Sequence, residues 1–144
     1  MKIFILEDAI FKREQITDFL KIKKIGYELS GYARPALRYI MKNKNEISGI
    51  ILDLGLQNSK DSPESYDLLK GLDIIRELYR KKLHIPVLVN SSTQVKSLNQ
   101  YPFVYGQRKE IDDYQILEDY ISFLRKREEQ WILLLFFWRK YKIK

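Results

Sequence analysis

The feature that most constrains the fold of this chain is a series of short apolar runs that stop at polar or acidic residues. The first run is Ile3–Leu6, which stops at Glu7, and the most apolar run of the first half is Ile47–Leu52, which stops at Asp53. Continuous apolar runs of this length are typical of strands that are buried on both faces. We therefore predict parallel strands with polar residues at their carboxyl ends.

Segments with helical spacing alternate with these runs. Apolar residues recur at helical spacing from Ala9 to Lys24, Thr93–Asn99 has room for only a short helix, and Asp112 or Asp113 can cap the last helix. Five strands that alternate with five helices predict an α/β fold with a parallel sheet, because parallel neighbours need crossover connections. The predicted strands are Ile3–Leu6, Tyr27–Tyr32, Ile47–Leu52, Pro86–Val89 and Pro102–Tyr105.

Composition limits the possible functions. The 144 residues, of which 45% are hydrophobic, fit one globular domain, and the absence of cysteine excludes disulfides and thiolate chemistry. The acidic pair Glu7 and Asp8 comes too early for a secretory signal, so we expect a cytoplasmic protein. The net charge of +7 is spread over several predicted helix ends, where cations complement the helix dipole. The single histidine, His84, has no histidine or cysteine companion for a metal site.

Three carboxylates follow two of the predicted strands, and ligands of parallel α/β sheets gather at this edge. Glu7, Asp8 and Asp53 would repel one another strongly in one pocket unless a cation lay among them. Mg²⁺ prefers oxygen ligands of this kind. The sequence therefore predicts a magnesium site in which Asp53 is both ligand and nucleophile. Ser91 and the segment Gly106–Lys109 follow the other strands of this edge.

The order and spacing of these motifs resemble the receiver domain of two-component response regulators. The motifs are Ile-Leu-Glu-Asp at 5–8, Ile-Ile-Leu-Asp-Leu at 50–54 and Ile-Pro-Val-Leu-Val-Asn-Ser-Ser at 85–92, and the resemblance spans about Lys2 to Arg127. It implies a doubly wound five-stranded sheet of flavodoxin-like order 2-1-3-4-5 with helices on both faces. It also implies a phosphoprotein that accepts a phosphoryl group on Asp53 from a sensor histidine kinase or a phosphotransfer protein, and that is not an enzyme in the ordinary sense.

The resemblance further implies a role for each site residue. Mg²⁺ would be held by Glu7, Asp8, Asp53 and the carbonyl of Gly55.

The remaining implied roles belong to residues at or after the ends of the fourth and fifth predicted strands. Ser91, five residues after the proline, and Lys109 would bond the phosphoryl oxygens, and Tyr105 would be the aromatic switch residue. The family has proline after this lysine and the aromatic residue three positions before it. Here Glu110 follows Lys109 and Tyr105 stands four positions before it, so Arg108 stays open as an alternative cation.

Residues 128–144 form an apolar and basic extension beyond the receiver segment 1–127. Trp131–Trp138 contains eight consecutive apolar residues, too few to span a bilayer. We expect this extension to hold a homodimer together, with strand pairing or contact with a membrane surface as alternatives. No segment after Arg127 is long enough for a DNA-binding or catalytic domain, so we expect a stand-alone receiver whose output is contact with a downstream protein.

Two other functions stay open at this point. The altered surroundings of Lys109 suit a pseudo-receiver, a protein-binding module that phosphorylation does not switch. A Mg²⁺-dependent phosphohydrolase could use the same acidic pocket, although no glycine-rich phosphate loop supports a nucleotide enzyme. The polar stretch from Gly55 to Pro63 predicts a long loop that covers the pocket or contacts a partner.

Overall fold

The structure, a computed structural model, describes residues 1–55, 71–93 and 95–142. Its strands are β1 (Lys2–Leu6), β2 (Gly26–Ser30), β3 (Gly49–Leu52), β4 (Val87–Asn90) and β5 (Val104–Arg108). Its helices are α1 (Ile10–Ile22), α2 (Ala33–Asn43), α3 (Gly71–Arg80) and α4 (Tyr114–Lys142). A 3₁₀ helix, Lys96–Gln100, lies between β4 and β5.

The five strands form one parallel sheet in the order β2-β1-β3-β4-β5. Helices α2 and α3 pack on one face, and α1 and α4 pack on the other. In β1, Phe4 and Leu6 belong to the first core and Ile3 and Ile5 to the second. This two-sided burial explains the continuous apolar runs, and the predicted fold and strand order are confirmed.

A buried tyrosine ties α4 to the centre of the sheet. The Tyr120 hydroxyl accepts a hydrogen bond from the Ile50 amide (3.0 Å) and donates to the carbonyl of Pro86 (2.7 Å). Gly49 makes room for it, since a Cβ at that position would lie 2.4 Å from the hydroxyl oxygen. The Ile50 and Pro86 groups belong to adjacent segments of the sheet, so this one side chain fixes α4 against β3 and the start of β4.

The position of the fifth strand differs from the prediction. Residues 102–103 form a turn, and β5 runs from Val104 to Arg108, two to three residues later than the predicted Pro102–Tyr105. The apolar run misled the prediction because the true strand ends in Gln107 and Arg108. Both polar side chains are satisfied by hydrogen bonds inside the protein, which the sequence pattern does not reveal.

The pairing of β4 with β5 is irregular. Val87 pairs with Val104, but Leu88 pairs with Gly106, so Tyr105 is an extra residue in β5. Such an insertion is a β-bulge, which bends the strand and changes the direction of the side chains after it. Residues Gly106 to Arg108 pair regularly with β4, so the irregularity lies at Tyr105 itself.

The helices also differ in part from the prediction. In the described part of the chain four are α-helices, and the predicted short fourth helix is the 3₁₀ helix. Asp113, rather than Asp112, caps α4, because its Oδ1 accepts a hydrogen bond from the Ile116 amide (3.2 Å). Apart from Gly55 itself, the long polar loop predicted at Gly55–Pro63 lies outside the described residues.

The apolar extension continues the last helix. Helix α4 has 29 residues and reaches Lys142, so the alternative of strand pairing is wrong for this segment. The side chains from Trp131 to Trp138 are each 49–67% exposed. No helix in the described part of the chain is both long and apolar enough to cross a membrane.

Candidate metal centre

The acidic residues predicted to form a site do converge. Glu7 and Asp8 follow β1, Asp53 follows β3, and one carboxylate oxygen from each lies within 4.8 Å of the others. The Asp53 amide donates to the carbonyl of Leu6 (2.9 Å), which holds the ends of the two strands side by side. The expectation that acids from separate segments share one pocket is therefore confirmed.

Glu7 is the most buried of the three acids, with 1% of its surface exposed. Its Oε1 accepts a hydrogen bond from the Ala9 amide (3.1 Å), and its Oε2 faces Nδ2 of Asn90 (3.5 Å). Burial, and then the negative charge of Asp53, raises the pKa of Glu7 to about 7. The pocket therefore disfavours the ionised form of Glu7 unless a cation is present.

The donor set fits Mg²⁺. In octahedral coordination at about 2.1 Å, oxygens on opposite sides of the ion lie about 4.2 Å apart. A cluster with a span of 4.8 Å needs only small side-chain rotations to reach that geometry. Asp8 is exposed, which leaves room for the water ligands that Mg²⁺ retains. The Gly55 amide donates to Oδ1 of Asp53 (3.3 Å), while a role for the Gly55 carbonyl as ligand stays a prediction.

Asp53 lies under the start of α3 and is 8% exposed. Gly71, the first residue of α3, contacts the backbone of Asp53 so closely that a Cβ would lie 2.2 Å from the Asp53 carbonyl oxygen. The Gly71 amide donates to the carbonyl of Leu54 (3.3 Å). Glycine at position 71 therefore lets α3 approach the backbone that carries Asp53.

Ser91 and Lys109 line a separate cavity of about 230 Å³ beside the acids. Asn90 also lines it and joins the two parts of the site, because its amide faces Glu7. The sequence prediction thus placed both residues at the correct edge of the sheet. The lining residues of this cavity are Lys12, Asn90, Ser91, Ser92, Arg108, Lys109, Glu110 and Ile111.

The loop after β4 is held to β5 by one side chain. Nε2 of Gln107 donates to the carbonyls of Ser91 (2.7 Å) and Thr93 (2.6 Å). The Ser91 hydroxyl is buried and accepts a hydrogen bond from the Thr93 amide (3.3 Å). The loop after β4 is therefore held by hydrogen bonds from Gln107 and by a hydrogen bond within the loop itself.

The two candidate cations at the end of β5 have opposite environments. Arg108 is 2% exposed, and its guanidinium donates to Gln15, Asn90 and two backbone carbonyls. Lys109, the next residue, is exposed in the cavity wall. Of these two, Lys109 is the cation that is available to a ligand in the cavity.

Tyr105, the predicted switch residue, packs against α4. Its ring lies 5.3 Å from that of Tyr120 and 5.0 Å from that of Phe123, and 36% of its surface is exposed. Burial raises the pKa of Tyr105. The bulge in β5 thus carries a ring that contacts the last helix.

Sequence reasoning missed two residues of this region and the role of a third. Asn90 and Lys12 were not selected, although Lys12 lines the cavity and its charge lowers the pKa of Glu7. A signal existed for Asn90, because it is a polar residue at the end of the apolar strand Val87–Asn90. Gln107 lay within the selected segment Gly106–Lys109, but its hydrogen bonds to the backbone of Ser91 and Thr93 leave no signal in the sequence.

No protein-family model matches this sequence, and no curated protein matches it either. Solved structures match it well. The signal receiver domain of a Vibrio parahaemolyticus protein is 17% identical with a TM-score of 0.74, covering 92% of this chain and 95% of that one. A response regulator receiver domain protein from Clostridium thermocellum is 20% identical with a TM-score of 0.71, covering 90% and 97%.

A third similar structure is the BeF3-activated N-terminal receiver domain of a Klebsiella pneumoniae protein. It is 19% identical with a TM-score of 0.66, and the match covers 87% of this chain and 99% of that one. The chain therefore has the fold of response regulator receiver domains.

Proposed function

We propose that this chain is a receiver that accepts a phosphoryl group on Asp53 from a sensor histidine kinase or a phosphotransfer protein. The observation that carries the proposal is the convergence of Glu7, Asp8 and Asp53 at the carboxyl edge of a receiver-type sheet. Ser91 and Lys109 in the adjoining cavity support it.

The chemistry follows from the positions of these side chains. An Asp53 carboxylate oxygen attacks the phosphorus of a phosphohistidine, and the bond from phosphorus to the imidazole nitrogen breaks as the new phosphorus–oxygen bond forms. Bound Mg²⁺, held by Glu7, Asp8, Asp53 and the Gly55 carbonyl, would supply positive charge at the phosphoryl oxygens.

Two residues of the adjoining cavity act on the product. The Ser91 hydroxyl donates to one phosphoryl oxygen, and the Lys109 ammonium pairs with another. The phosphoryl group carries about two negative charges at pH 7 in place of the single charge of the carboxylate, which is enough to draw in a loop that presents a hydroxyl and an ammonium. Movement at β5 then reaches α4 through the contact of Tyr105 with Tyr120. The output is a changed surface for a downstream protein.

Beryllofluoride, a phosphoryl mimic, tests the proposal when it is added with Mg²⁺. We expect ¹⁹F signals of the bound mimic and shifted backbone amides around Asp53, and neither in Asp53→Asn. Both tryptophans, Trp131 and Trp138, lie in the extension, so amide spectra are a better probe of the pocket than tryptophan fluorescence. The proposal fails if wild-type protein binds no mimic, and turnover of a small phosphate ester would favour the phosphohydrolase instead.

One observation favours the pseudo-receiver as a second candidate. Gln107 fixes the backbone of Ser91 and Thr93 with two short hydrogen bonds, so movement of this loop requires both to break. A pseudo-receiver predicts that mimic-induced shifts stay near Asp53. A switching receiver predicts that they extend to Tyr105 and to α4.

A second copy of the chain is the partner that we propose for the extension. Trp131–Trp138 is apolar on all sides for about two helical turns and is exposed, a feature that is costly in water for an isolated chain. Pairing two such helices along their length buries much of this surface. The basic residues Arg139 and Lys140 lie beyond the apolar segment, where a membrane surface is the competing partner.

Sedimentation tests this self-association. Truncation after Gln130 removes the apolar segment but keeps Glu128, whose Oε1 accepts a hydrogen bond from the Ser48 hydroxyl (2.7 Å). We expect a dimer for the full chain and a monomer for the truncated one, with Leu134→Glu as a substitution that leaves the chain length unchanged. A full-length monomer that pellets with anionic vesicles would identify a membrane surface as the partner.

A further inference from the structure

Arg108 is the largest of the fully buried side chains and has an unusual set of partners. None of the ion pairs among the described residues includes it. Instead, Nε donates to the carbonyl of Asp113 (2.9 Å), and Nη2 donates to Oε1 of Gln15 (2.9 Å) and to the carbonyl of Ile111. Among the described residues no carboxylate lies within ion-pair distance of this buried guanidinium, although the charges of Asp112 and Asp113 act on it from further away. These bonds and the Tyr114 ring beside it therefore hold it in one position.

The remaining bond of this guanidinium leads to the acidic pocket. Nη1 of Arg108 donates to Oδ1 of Asn90 (3.1 Å). Because the oxygen of the Asn90 amide is engaged in this way, its Nδ2 is turned toward Oε2 of Glu7 (3.5 Å). The other oxygen of Glu7 accepts from the Ala9 amide. Both oxygens of Glu7 therefore face fixed donors, one of which depends on Arg108.

We propose that Arg108 is a positioning residue that orients Glu7 for the cation through the carboxamide of Asn90. This inference rests on the proposed function, since the cation is the Mg²⁺ of the phosphoacceptor site. Without Arg108 the Asn90 amide can rotate, and repulsion by Asp53 can turn Glu7 away from the cluster. Arg108 thus acts on the metal site from a distance, while Lys109 faces the cavity.

The same guanidinium connects three segments of the protein. Its partners lie on α1 (Gln15), at the end of β4 (Asn90) and in the turn between β5 and α4 (Ile111 and Asp113). Only the Asn90 branch reaches Glu7. The other branches therefore provide matched controls, because they can be cut without touching the donor that faces the acid.

The test measures cation affinity and protein stability in parallel on the full chain. Mn²⁺, used as a paramagnetic stand-in for Mg²⁺, is titrated into wild type, Arg108→Met, Asn90→Leu and the double variant. Partners in the second coordination shell typically change metal affinity by about 10- to 100-fold, so we expect at least a tenfold loss in each single variant. The double variant should lose no more Mn²⁺ affinity than the single variant with the larger loss, because both substitutions break the same connection between Arg108 and Glu7.

Gln15→Leu is the control for a purely structural role. It removes one hydrogen bond of Arg108 and lowers the urea midpoint, but it leaves Asn90 in place. We expect its Mn²⁺ affinity to stay within about twofold of wild type. The proposal is overturned if Arg108→Met binds Mn²⁺ as tightly as wild type, if the losses of the single variants add, or if Gln15→Leu loses as much affinity. If Arg108→Met does not fold, Asn90→Leu alone tests the proposal. Wild-type Mn²⁺ affinity in Asn90→Leu would then reject it.

A readout without metal separates this proposal from the function on which it rests. In ¹⁵N spectra, the Asn90 carboxamide protons should exchange with water faster in Arg108→Met than in wild type. Their exchange rate in Gln15→Leu should equal that of wild type. If wild-type protein binds neither metal nor beryllofluoride, the proposed function fails. Unaltered Asn90 exchange in Arg108→Met rejects the positioning role itself, whatever the metal does.

Discussion

The acidic pocket and the loop after β4 lie at the same edge of the sheet but are built in different ways. Glu7, Asp8 and Asp53 follow two regular, fully buried strands, and the backbone of Asp53 is bonded directly to β1. The opposite side contains a β-bulge at Tyr105 and a 3₁₀ helix between β4 and β5. The acidic pocket is thus supported mainly by regular strands and the loop after β4 by an irregular part of the sheet, and Asn90 connects the two.

The strongest test of this comparison is Asp53→Asn. The substitution removes the proposed phosphoacceptor oxygen and one of the three charges, so we expect binding of beryllofluoride to fall by at least about 100-fold, beyond the loss of a single second-shell contact. ¹⁹F spectra measure the loss. If the variant binds the mimic normally, the acidic pocket is not the phosphoryl site and the comparison loses its basis.

The pH dependence of stability tests the environment of Glu7 in the acidic pocket. The pKa of Glu7 is about 7 in the folded protein, against an ordinary value of 4.5. Below 4.5 both states are protonated, and between 4.5 and 7 the unfolded state ionises first, so stability falls as pH rises. The expected loss without metal is about 3 kcal/mol, complete above pH 7.

Urea unfolding at several pH values, in the presence of EDTA, measures this slope, the decrease of the free energy of unfolding as pH rises. Glu7→Gln should remove it, and Mg²⁺ should reduce it because the cation favours the ionised carboxylate. A slope that is the same in Glu7→Gln would assign the effect to another group.

Gly71→Ala tests how closely α3 is attached to the acidic side. Because the new methyl group would lie 2.2 Å from the Asp53 carbonyl oxygen, the backbone has to move, and we expect a loss of about 2 kcal/mol in the free energy of unfolding with weaker cation binding. Gly106→Ala is a matched control, since a methyl group there meets only Ile116 at an ordinary 3.7 Å. Equal losses in both variants would contradict the explanation.

The smallest expected effect concerns the loop after β4. Gln107→Ala removes two hydrogen bonds to backbone carbonyls and should destabilise the protein by about 1 kcal/mol. If these bonds restrain a switch, the amide shifts caused by beryllofluoride should extend further from Asp53 in this variant than in wild type. Identical shift patterns would show that Gln107 does not limit the response.

The sequence predicted the acidic side well for a physical reason. Strands β1 and β3 are buried on both faces, so their apolar runs and the acids that end them are visible in the pattern. Strand β5 was misplaced because it ends in Gln107 and Arg108, polar residues whose partners lie on α1, β4 and two loops. Contacts between residues far apart in sequence leave no periodic signal.

The continuity of α4 has a mechanical consequence. Tyr120 is bonded to the centre of the sheet, and the Tyr105 ring packs against the same turn of the helix. From Tyr120 to Trp138 the helix is about 27 Å long, so a tilt of about 5° at Tyr120 would move its far end by about 2 Å. If two copies pair through this helix, as proposed, a slight repacking of one aromatic ring would therefore shift the contact between them.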